Sequence, residues 1–572
     1  MNIEKKSRRK FFINLIKPSH YDDQGYVIQW RRSFVPSNTL GCVLALVEDV
    51  KTRNALGEDV ELVVNAYDEI NIVIPTKKII NQIKDGGGNG LVMMIGVQSN
   101  QFPRTIDLTR EYRRAGIQVA IGGFHVSGCI SMLPKLPTDI QALLDDGVTI
   151  FAGEAEGRIE NFLRDALQNE LKPVYNYLSE LPGLQGTVTP FLPRELANRY
   201  TAYTAFDAGR GCPFKCSFCT IINVQGNKSR WRDADDVERI VRSNWEQGVK
   251  RFFISDDNFA RNKNWESILD RLIELRKNER IRVRFLIQVD TTCHKIPGFI
   301  EKARAAGCNK VIIGLENINP ENLRAIQKKQ NMISEYRTML QAFRKHGIIT
   351  YAGYILGLPA DTQESIEQDI RTIQNELPVD ILEIFLLTPL PGSADHRSLH
   401  DQGVWMDPDL NKYDFEHVTT RNHPKMSADE LQEIYNRAWH LYYSLEHIET
   451  LLRRAVISGI KPKSLRTMLW LFYGSYCCEG VHPLQAGILR RKVRTARRKG
   501  FPIVSPVLFY PLRLWETFST IYRVLQMYCR IARIYKKVQN DPAKHEYTDL
   551  ALAPTDNNTK KDIKMFKLAN EI

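Results

Sequence analysis

The chain has 572 residues, of which 43% are hydrophobic and 25% charged, and this composition predicts a soluble globular protein of about three domains. It contains no run of apolar residues long enough for a membrane-spanning helix. The net charge of +13 predicts an anionic partner: a nucleic acid, a membrane surface or a phosphorylated substrate. Most of the ten cysteines are scattered, which excludes a secreted disulfide framework and predicts a cytoplasmic protein.

Short apolar runs alternate with amphipathic stretches in the first 170 residues. This rhythm predicts a parallel sheet with helices on both faces, hence a doubly wound, flavodoxin-like α/β domain over residues 1–175. The expected strands are 11–16, 60–64, 90–95, 118–122 and 148–151. Ligands of such sheets bind beyond the carboxyl ends of the strands. The last two strands end in Gly122-Gly123-Phe124-His125 and Gly153-Glu154-Ala155-Glu156.

A proline-rich connector, residues 176–199, leads to a second alternating region over 200–425. Six β/α units in this region predict a partial (β/α)6 barrel, with its chemistry at the carboxyl ends of the strands. The expected strands are 203–208, 251–255, 283–289, 310–315, 350–356 and 381–387.

A cluster of cysteines follows the first barrel strand, in the spacing C-x3-C-x2-C formed by Cys212, Cys216 and Cys219. Three thiolates on one tight loop can hold three irons of a [4Fe-4S] cubane and leave the fourth iron open to a small molecule. The alternatives are a chance group of buried cysteines and a zinc site that lacks its fourth ligand.

The segments around this loop resemble the radical S-adenosylmethionine (SAM) superfamily, in the family's order, over residues 200–395. Besides the cysteines, the matching segments are Phe218, Ser255-Asp256-Asp257-Asn258-Phe259, Ala306 to Glu316, and Gly353-Tyr354-Ile355-Leu356-Gly357-Leu358-Pro359. The resemblance implies that the open iron binds SAM and that the reduced cluster cleaves it to a 5′-deoxyadenosyl radical. It also implies an electron donor such as flavodoxin or ferredoxin.

Residues matching the family's motifs are expected to bind SAM, while no residue is assigned a catalytic role. These residues are Phe218, Asp256, Asp257, Asn258, Gln288, Glu316, Leu356 and Gly357. Two alternatives stay open: Asp256 and Asp257 could cap the following helix, and Glu316 could form a structural salt bridge.

A flavodoxin-like domain before a radical SAM barrel resembles the cobalamin-binding subclass of the superfamily. Gly122, Gly123, Gly153 and Glu154 match that subclass and are expected to line a cobalamin site, because glycines let the backbone approach a bulky cofactor. The pattern D-x-H-x-x-G is absent, so no histidine is expected on cobalt. Alternatively, the domain is a scaffold that binds no cobalamin.

The leading hypothesis is therefore a radical SAM enzyme that uses cobalamin as a methyl carrier to an unactivated carbon of a small-molecule or lipid substrate. The alternatives are a cobalamin-dependent radical cyclase or rearrangement enzyme, and an iron–sulfur or cobalamin sensor without catalysis. A tRNA methylthiolase would need three further cysteines in the first domain, which has only Cys42 and Cys129. A nucleic-acid partner is therefore not expected.

Residues 426–540 are expected to be helical, and residues 541–572 disordered. The segment 451–539 carries 18 Lys or Arg residues against two acids. Interleaved aromatic residues favour peripheral docking at the anionic inner face of a membrane, which would be consistent with a lipid-like substrate. The alternative is a solvated helical cap over the barrel. The residues expected to dock are Arg490, Arg491, Lys492, Arg497, Arg498 and Lys499.

Overall fold

Two six-stranded parallel sheets organise the computed structural model, which describes residues 8–200 and 203–554. The first sheet has the order β3-β1-β4-β5-β6-β7. Its strands are β1 (Arg9–Lys17), β3 (Val60–Asp68), β4 (Gly90–Met94), β5 (Gln118–Gly122), β6 (Thr149–Ala152) and β7 (Val174–Asn176), while β2 (Gln29–Ser33) lies outside it. Its helices are α1 (Asn38–Thr52), α2 (Thr76–Asp85), α3 (Phe102–Arg114), α4 (Phe124–Met132), α5 (Thr138–Asp145) and α6 (Ile159–Gln168).

Strand β1 shows why this sheet is covered on both sides. Phe11, Ile13 and Leu15 pack into one hydrophobic core, and Phe12 and Ile16 pack into the other. Successive side chains of a strand point to opposite faces, so a continuous apolar run needs helices on each. The predicted doubly wound, flavodoxin-like domain is confirmed.

The second sheet joins its strands in chain order, β8-β11-β12-β13-β14-β15, with every pair parallel. This is the predicted partial (β/α)6 barrel. Its strands are β8 (Thr204–Phe206), β11 (Arg251–Ile254), β12 (Arg284–Val289), β13 (Cys308–Glu316), β14 (Ile349–Leu356) and β15 (Ile381–Leu386), and β9 (Gly209–Arg210) and β10 (Arg230–Trp231) form a separate antiparallel pair. The helices are α7 (Arg194–Ala197), α8 (Ile221–Val224), α9 (Ala234–Glu246), α10 (Trp265–Asn278), α11 (Phe299–Ala306), α12 (Pro320–Ala325), α13 (Tyr336–Lys345), α14 (Gln363–Glu376) and α15 (Ala394–Asp401).

The C-terminal region packs against the barrel and shares its core. Tyr443, for example, donates a hydrogen bond to the Leu382 carbonyl at 2.8 Å. Its helices are α16 (Ala428–Tyr442), α17 (Leu445–Ile457), α18 (Pro462–Gly474) and α19 (Pro506–Asn540). Single turns of other helix types occur at Ser99–Gln101, Phe259–Arg261, Cys293–Lys295, Ile333–Glu335, Leu410–Lys412, Ser475–Glu479 and Pro483–Gln485.

The predicted helical C-terminal region is confirmed by α16 to α19, but one short strand interrupts it. Strand β16 (Gly487–Arg491) pairs antiparallel with β2 of the first domain, with Gly487 opposite Ser33. The indole of Trp30, completely buried, donates to the Gln485 carbonyl at 2.8 Å. The C-terminal region is therefore fastened to the first domain as well as to the barrel.

Most of the basic residues expected to face a membrane bind the protein itself. Arg490 pairs with Asp22 at 3.0 Å, Lys492 with Glu516 at 3.1 Å and Arg498 with Asp409 at 2.7 Å. Arg497 stacks over Tyr26 with 4.7 Å between its guanidinium carbon and the ring centroid. The prediction that these residues dock on lipid is corrected for all four, because their charges are used within the fold.

The expected disorder of residues 541–572 is also wrong for 541–554. Asp549 pairs with Arg454 at 2.7 Å, and Ala551 is fully buried. The remaining residues of this predicted tail, 555–572, lie outside the described residues. The same is true of residues 1–7 of the predicted first domain and residues 201–202 of the predicted barrel. The domain limits themselves stay a prediction. Across the described ranges, no helix combines the length and apolarity that a membrane crossing requires.

The first domain and the barrel meet at α4. A Cβ atom on Gly128 would lie 2.4 Å from the Pro391 carbonyl oxygen and 2.8 Å from the Cα of Gly392. Because the obstacle is backbone, only glycine fits between the two elements without a shift of one domain.

We expect Gly128→Val to separate these domains and to lower the midpoint of thermal unfolding by several degrees, because overpacking costs about 1–3 kcal/mol. The matched control is Gly183→Val, since no atom lies within 4 Å of a Cβ there. Limited proteolysis and calorimetry measure the effect. Equal midpoints for the two variants would contradict the tight contact.

Candidate active site

The three cysteines of the predicted cluster lie on one loop between β9 and α8. The Cys219 amide donates to the Cys216 carbonyl at 3.2 Å, and the Cys212 amide donates to the Gly226 carbonyl at 3.3 Å. Gly211 has φ +86°, and a Cβ there would lie 2.4 Å from the Lys228 carbonyl oxygen. The loop is therefore closed at both ends, and glycine is required where it begins.

The donor set of this loop fits a cubane. One thiolate on each of three irons suffices for a [4Fe-4S] cluster, so the sulfurs need not surround one ion. In the described ranges, no three His, Cys, Asp or Glu side chains could together hold a single metal ion. Burial raises the pKa of the Cys219 thiol to about 12, and coordination would deprotonate it. The Gln330 amide donates to Cys216 Sγ at 3.7 Å.

A buried ion pair lies beside the loop. Lys328 Nζ is 2.6 Å from Glu316 Oε1 and 5.7 Å from the centroid of the Phe218 ring. Burial alone would lower the pKa of Lys328, but Glu316 and the nearby Cys216 and Cys219 raise it above its ordinary value. The ammonium is therefore charged, and it lies between the predicted SAM-binding carboxylate and the cluster loop.

Glu316 sits at the end of β13 in a strained conformation. Its φ of +64° lies in the left-handed region, and the register between β13 and β14 shifts just before it. A non-glycine residue there costs about 1–3 kcal/mol, which surrounding contacts must offset. The Asn331 side-chain amide donates to the Gly314 and Leu315 carbonyls at 3.1 and 2.7 Å, which holds this bend.

The predicted residues after β11 divide into separate roles. Asp256 accepts hydrogen bonds from the Ala208 and Gly209 amides at 2.7 and 2.8 Å. Asp257 accepts from the Gly211 amide at 2.8 Å, directly before the first cysteine. These carboxylates hold the entrance of the cluster loop instead of capping a following helix.

Asn258 turns toward a neighbouring strand end, where its amide donates to Asp290 at 3.0 Å. Its own carbonyl oxygen is buried without a partner. The Gln288 amide donates to the Asp256 carbonyl at 3.1 Å. Gln288 is therefore tied to the same strand-end loop that supports the cysteines.

One face of the barrel strands surrounds an open interior. On β11, β12 and β13, residues that pack under the helices are fully buried, whereas those alternating with them are only half-buried. A strand inside a filled core would be buried on both faces. The half-buried residues of this lumen are Phe253, Leu286, Gln288, Ile312, Gly314 and Glu316.

The last predicted SAM segment ends β14. Leu356 is fully buried in the core, so its side chain cannot contact a ligand in the lumen. Gly357 has φ +86°, and its amide donates to Asp361 at 2.9 Å. Only the backbone of this turn is available to a cofactor.

A cavity lies where β4, β5 and β6 of the first sheet end. Gly122, Gly123, Gly153 and Glu154 line it, as the sequence predicts. Its other side is formed by Val224 and Gln225. Because these two residues lie at the end of α8, the helix that follows the cluster loop, the cavity lies between the first domain and the barrel. Its other lining residues include Asn38, Thr39, Cys42, Gly96, Ser127, Ala155 and Arg210.

Backbone shape explains the glycines of this cavity. Gly123 has φ +145°, and a Cβ there would lie 2.2 Å from the Val97 amide nitrogen. Gly153 has φ +101°, and a Cβ there would lie 3.0 Å from the carbonyl carbon of Tyr177. His125 is buried outside the lining residues and hydrogen-bonded with Ser99 at 3.1 Å.

Glu154 belongs to a buried ion network between the domains. Arg210 binds both Glu154 and Glu156 at 2.6 Å. Arg230 donates a further bond to Glu154 at 2.9 Å. Burial alone would raise the pKa of Asp207, but the Arg210 and Arg232 guanidinium groups hold it well below its usual value. Glu154 is therefore paired within the protein while it also lines the cavity, and its contact with a cofactor stays a prediction.

The sequence reading missed Lys328, Gln330 and Arg210. Lys328 and Gln330 follow α12 in the polar run Lys328-Lys329-Gln330-Asn331, and only the tertiary fold brings them to the cysteines. Arg210 stands two residues before Cys212, where its position could have drawn notice.

Comparison with known proteins identifies the barrel. Residues 208–373 match the radical SAM superfamily. Over 330 residues, the chain is 30% identical to bacteriochlorophyllide d C-12(1)-methyltransferase of Chlorobaculum tepidum. The aligned residues cover 55% of this chain and 68% of that relative. The chain belongs to the radical SAM superfamily. The cluster loop is thus part of a radical SAM core, and the protein is an enzyme.

Two further likenesses extend the comparison of this radical SAM protein. It is 26% identical to the hopanoid C-2 methylase of Rhodopseudomonas palustris, over 52% of this chain and 55% of that one. The structure of the cobalamin-dependent SAM radical enzyme OxsB superposes with a TM-score of 0.51 at 14% identity, over 96% of this chain and 84% of that one. The resemblance to the cobalamin-binding-domain subclass is confirmed.

We expect Glu154→Gln to destabilise the radical SAM protein by about 3–5 kcal/mol, because it leaves Arg210 and Arg230 short of a buried partner. Glu180→Gln is the matched control, since it removes one carboxylate from an exposed pair with Arg158 and should change stability by less than about 0.5 kcal/mol. Urea unfolding measures both. Similar midpoints would show that the network is energetically unimportant.

Proposed function

We propose that the protein is a cobalamin-dependent radical SAM methyltransferase that acts on an unactivated carbon of a hydrophobic small-molecule or lipid substrate. The observation that carries the proposal is the position of the cluster loop. On one side, Phe218 of the loop lies against Lys328, which pairs with Glu316 in the barrel lumen. On the other side, Val224 and Gln225, at the end of the helix that follows the loop, line the cavity of the first domain. One loop thus separates two spaces, each suited to one cofactor.

Cys212, Cys216 and Cys219 would hold a [4Fe-4S] cluster. When reduced, such a cluster supplies the electron that cleaves SAM to a 5′-deoxyadenosyl radical. Asp257 and Asp256 fix the loop through its backbone amides. Phe218 would cover the cluster from solvent while the Gln330 amide donates to the Cys216 sulfur.

The lumen residues would orient SAM. Gln288 and Glu316 offer hydrogen-bonding groups on neighbouring strands, and the ammonium of Lys328 is the cation nearest to them that could meet a carboxylate of SAM. The turn at Gly357 would contribute backbone atoms only. Asp256 and Asn258 would act by holding this edge in place, since both side chains bond protein atoms.

Cobalamin would occupy the cavity of the first domain and supply a methyl carrier. Gly122, Gly123 and Gly153 keep its floor free of side chains, and the bond between His125 and Ser99 keeps that imidazole outside the lining. We expect no axial histidine.

The substrate would be hydrophobic. The half-buried side chains of the lumen include Phe253, Leu286 and Ile312, so a bound substrate would contact apolar groups. Apolar lining with a few polar groups is typical of sites for largely apolar ligands. The relatives named above act on a bacteriochlorophyllide and a hopanoid, both polycyclic. A one-electron donor such as flavodoxin or ferredoxin would reduce the cluster.

The cluster assignment predicts that Cys212→Ala, Cys216→Ala and Cys219→Ala each lose the [4Fe-4S] signal and 5′-deoxyadenosine production, because two thiolates hold a cubane poorly. The control is Cys529→Ala, which removes an exposed thiol on α19. Iron analysis and product chromatography after anaerobic reconstitution test this. Normal iron content and SAM cleavage in the three variants would refute the radical SAM mechanism.

The cobalamin assignment predicts about one corrinoid per chain after reconstitution with hydroxocobalamin, without nitrogen splitting in the Co(II) electron paramagnetic resonance spectrum. Ala155→Trp should abolish uptake and keep the cluster, because the indole would fill the cavity that Ala155 lines. Ala543→Trp, an exposed position, is the control. Uptake by the Ala155 variant, or nitrogen splitting, would contradict the assignment.

A further inference from the structure

One face of α19 leaves large apolar side chains in solvent over its first five turns. Val507, Pro511, Leu514, Phe518, Tyr522 and Leu525 recur at intervals of three or four residues, so they form one stripe along the helix. We name this set the outward stripe. Its exposed fractions are 81% for Val507, 60% for Leu514, 67% for Phe518, 66% for Tyr522 and 55% for Leu525, and Trp515 beside it is 73% exposed.

The opposite face of α19 is already bound to the protein. Phe509 is buried, with its ring centroid 5.8 Å from that of Tyr26. Glu516 accepts from Arg513 and from Lys492, each at 3.1 Å. Because these contacts fix the rotation of the helix, the outward stripe cannot turn inward without breaking them.

The charges around the outward stripe have one sign. Glu516 is the sole acid between residues 480 and 540, and it lies on the bound face. Arg533 and Lys536 continue the stripe beyond Leu525, and both are exposed. Within the described chain, no ion pair joins either of these two cations to a carboxylate. An apolar stripe that runs into unpaired cations matches an anionic, apolar-layered surface.

We propose that the outward stripe lies in the surface of an anionic lipid bilayer, with the helix parallel to the membrane plane. Trp515 and Tyr522 would sit at headgroup level, where aromatic residues with a polar tip are favoured. Arg533 and Lys536 would meet lipid phosphates. A second copy of the stripe would offer these cations no carboxylate, which is why lipid is the occupant that the charges favour. This inference does not depend on the proposed reaction.

The test is co-sedimentation of the full chain with vesicles of phosphatidylcholine mixed with phosphatidylglycerol. Leu514→Glu combined with Phe518→Glu should lower the partition coefficient at least about tenfold, because both side chains would leave the apolar layer. Arg533→Gln combined with Lys536→Gln should lower it by roughly tenfold on these vesicles and little on phosphatidylcholine alone.

The control is Leu445→Glu combined with Trp405→Glu, two residues that are each 47% exposed elsewhere on the surface. This variant should bind like the wild type, and thermal unfolding should show that all variants fold. Unchanged binding by the Leu514 and Phe518 variant would overturn the proposal. The proposal would also be overturned if the wild type did not bind vesicles but instead self-associated or bound RNA, and if the Leu514 and Phe518 variant lost that interaction.

Discussion

The guanidinium of Arg210 is where the two halves of this enzyme meet. It is buried between Glu154 and Glu156 of the first domain and Asp207 of the barrel, and it stands two residues before the first cluster cysteine. Three carboxylates and three arginines, counting Arg230 and Arg232, balance one another in a largely buried cluster beside the cavity. A buried charge is tolerated when every partner is present. Hence the position of the cluster loop relative to the first domain follows from electrostatics as much as from packing.

At the barrel lumen, too, an unfavourable feature is held in place by its neighbours. Glu316 adopts a backbone conformation that residues with side chains avoid, and Lys328 and Asn331 hold it there. Strain that neighbouring contacts overdetermine is typical of sites that hold a ligand in one orientation. Strand β13 therefore ends in a rigid carboxylate at the mouth of the barrel.

Much of this architecture could be predicted from the sequence, because its determinants are local. Continuous apolar runs predict strands that are covered on both faces, and the C-x3-C-x2-C spacing lies within one loop. The errors concern partners distant along the chain. The sequence predicts that Arg490 and Arg498 form a charged surface, because composition does not show that they pair with Asp22 and Asp409, which are distant along the chain.

The ribbon formed by β2 and β16 has a consequence for how the chain reaches this structure. Residues 29–33 emerge from the ribosome about 450 residues ahead of the strand that pairs with them, a delay on the order of a minute at ordinary translation rates. Trp30, which the finished molecule covers completely, must spend that interval exposed or in a provisional contact. The first domain can form its six-stranded sheet early, but the separate ribbon of β2 and β16 is completed only after residue 491 has been synthesised. A nascent chain stalled before residue 487 would present an indole and an unpaired strand to its neighbours, the features that invite aggregation.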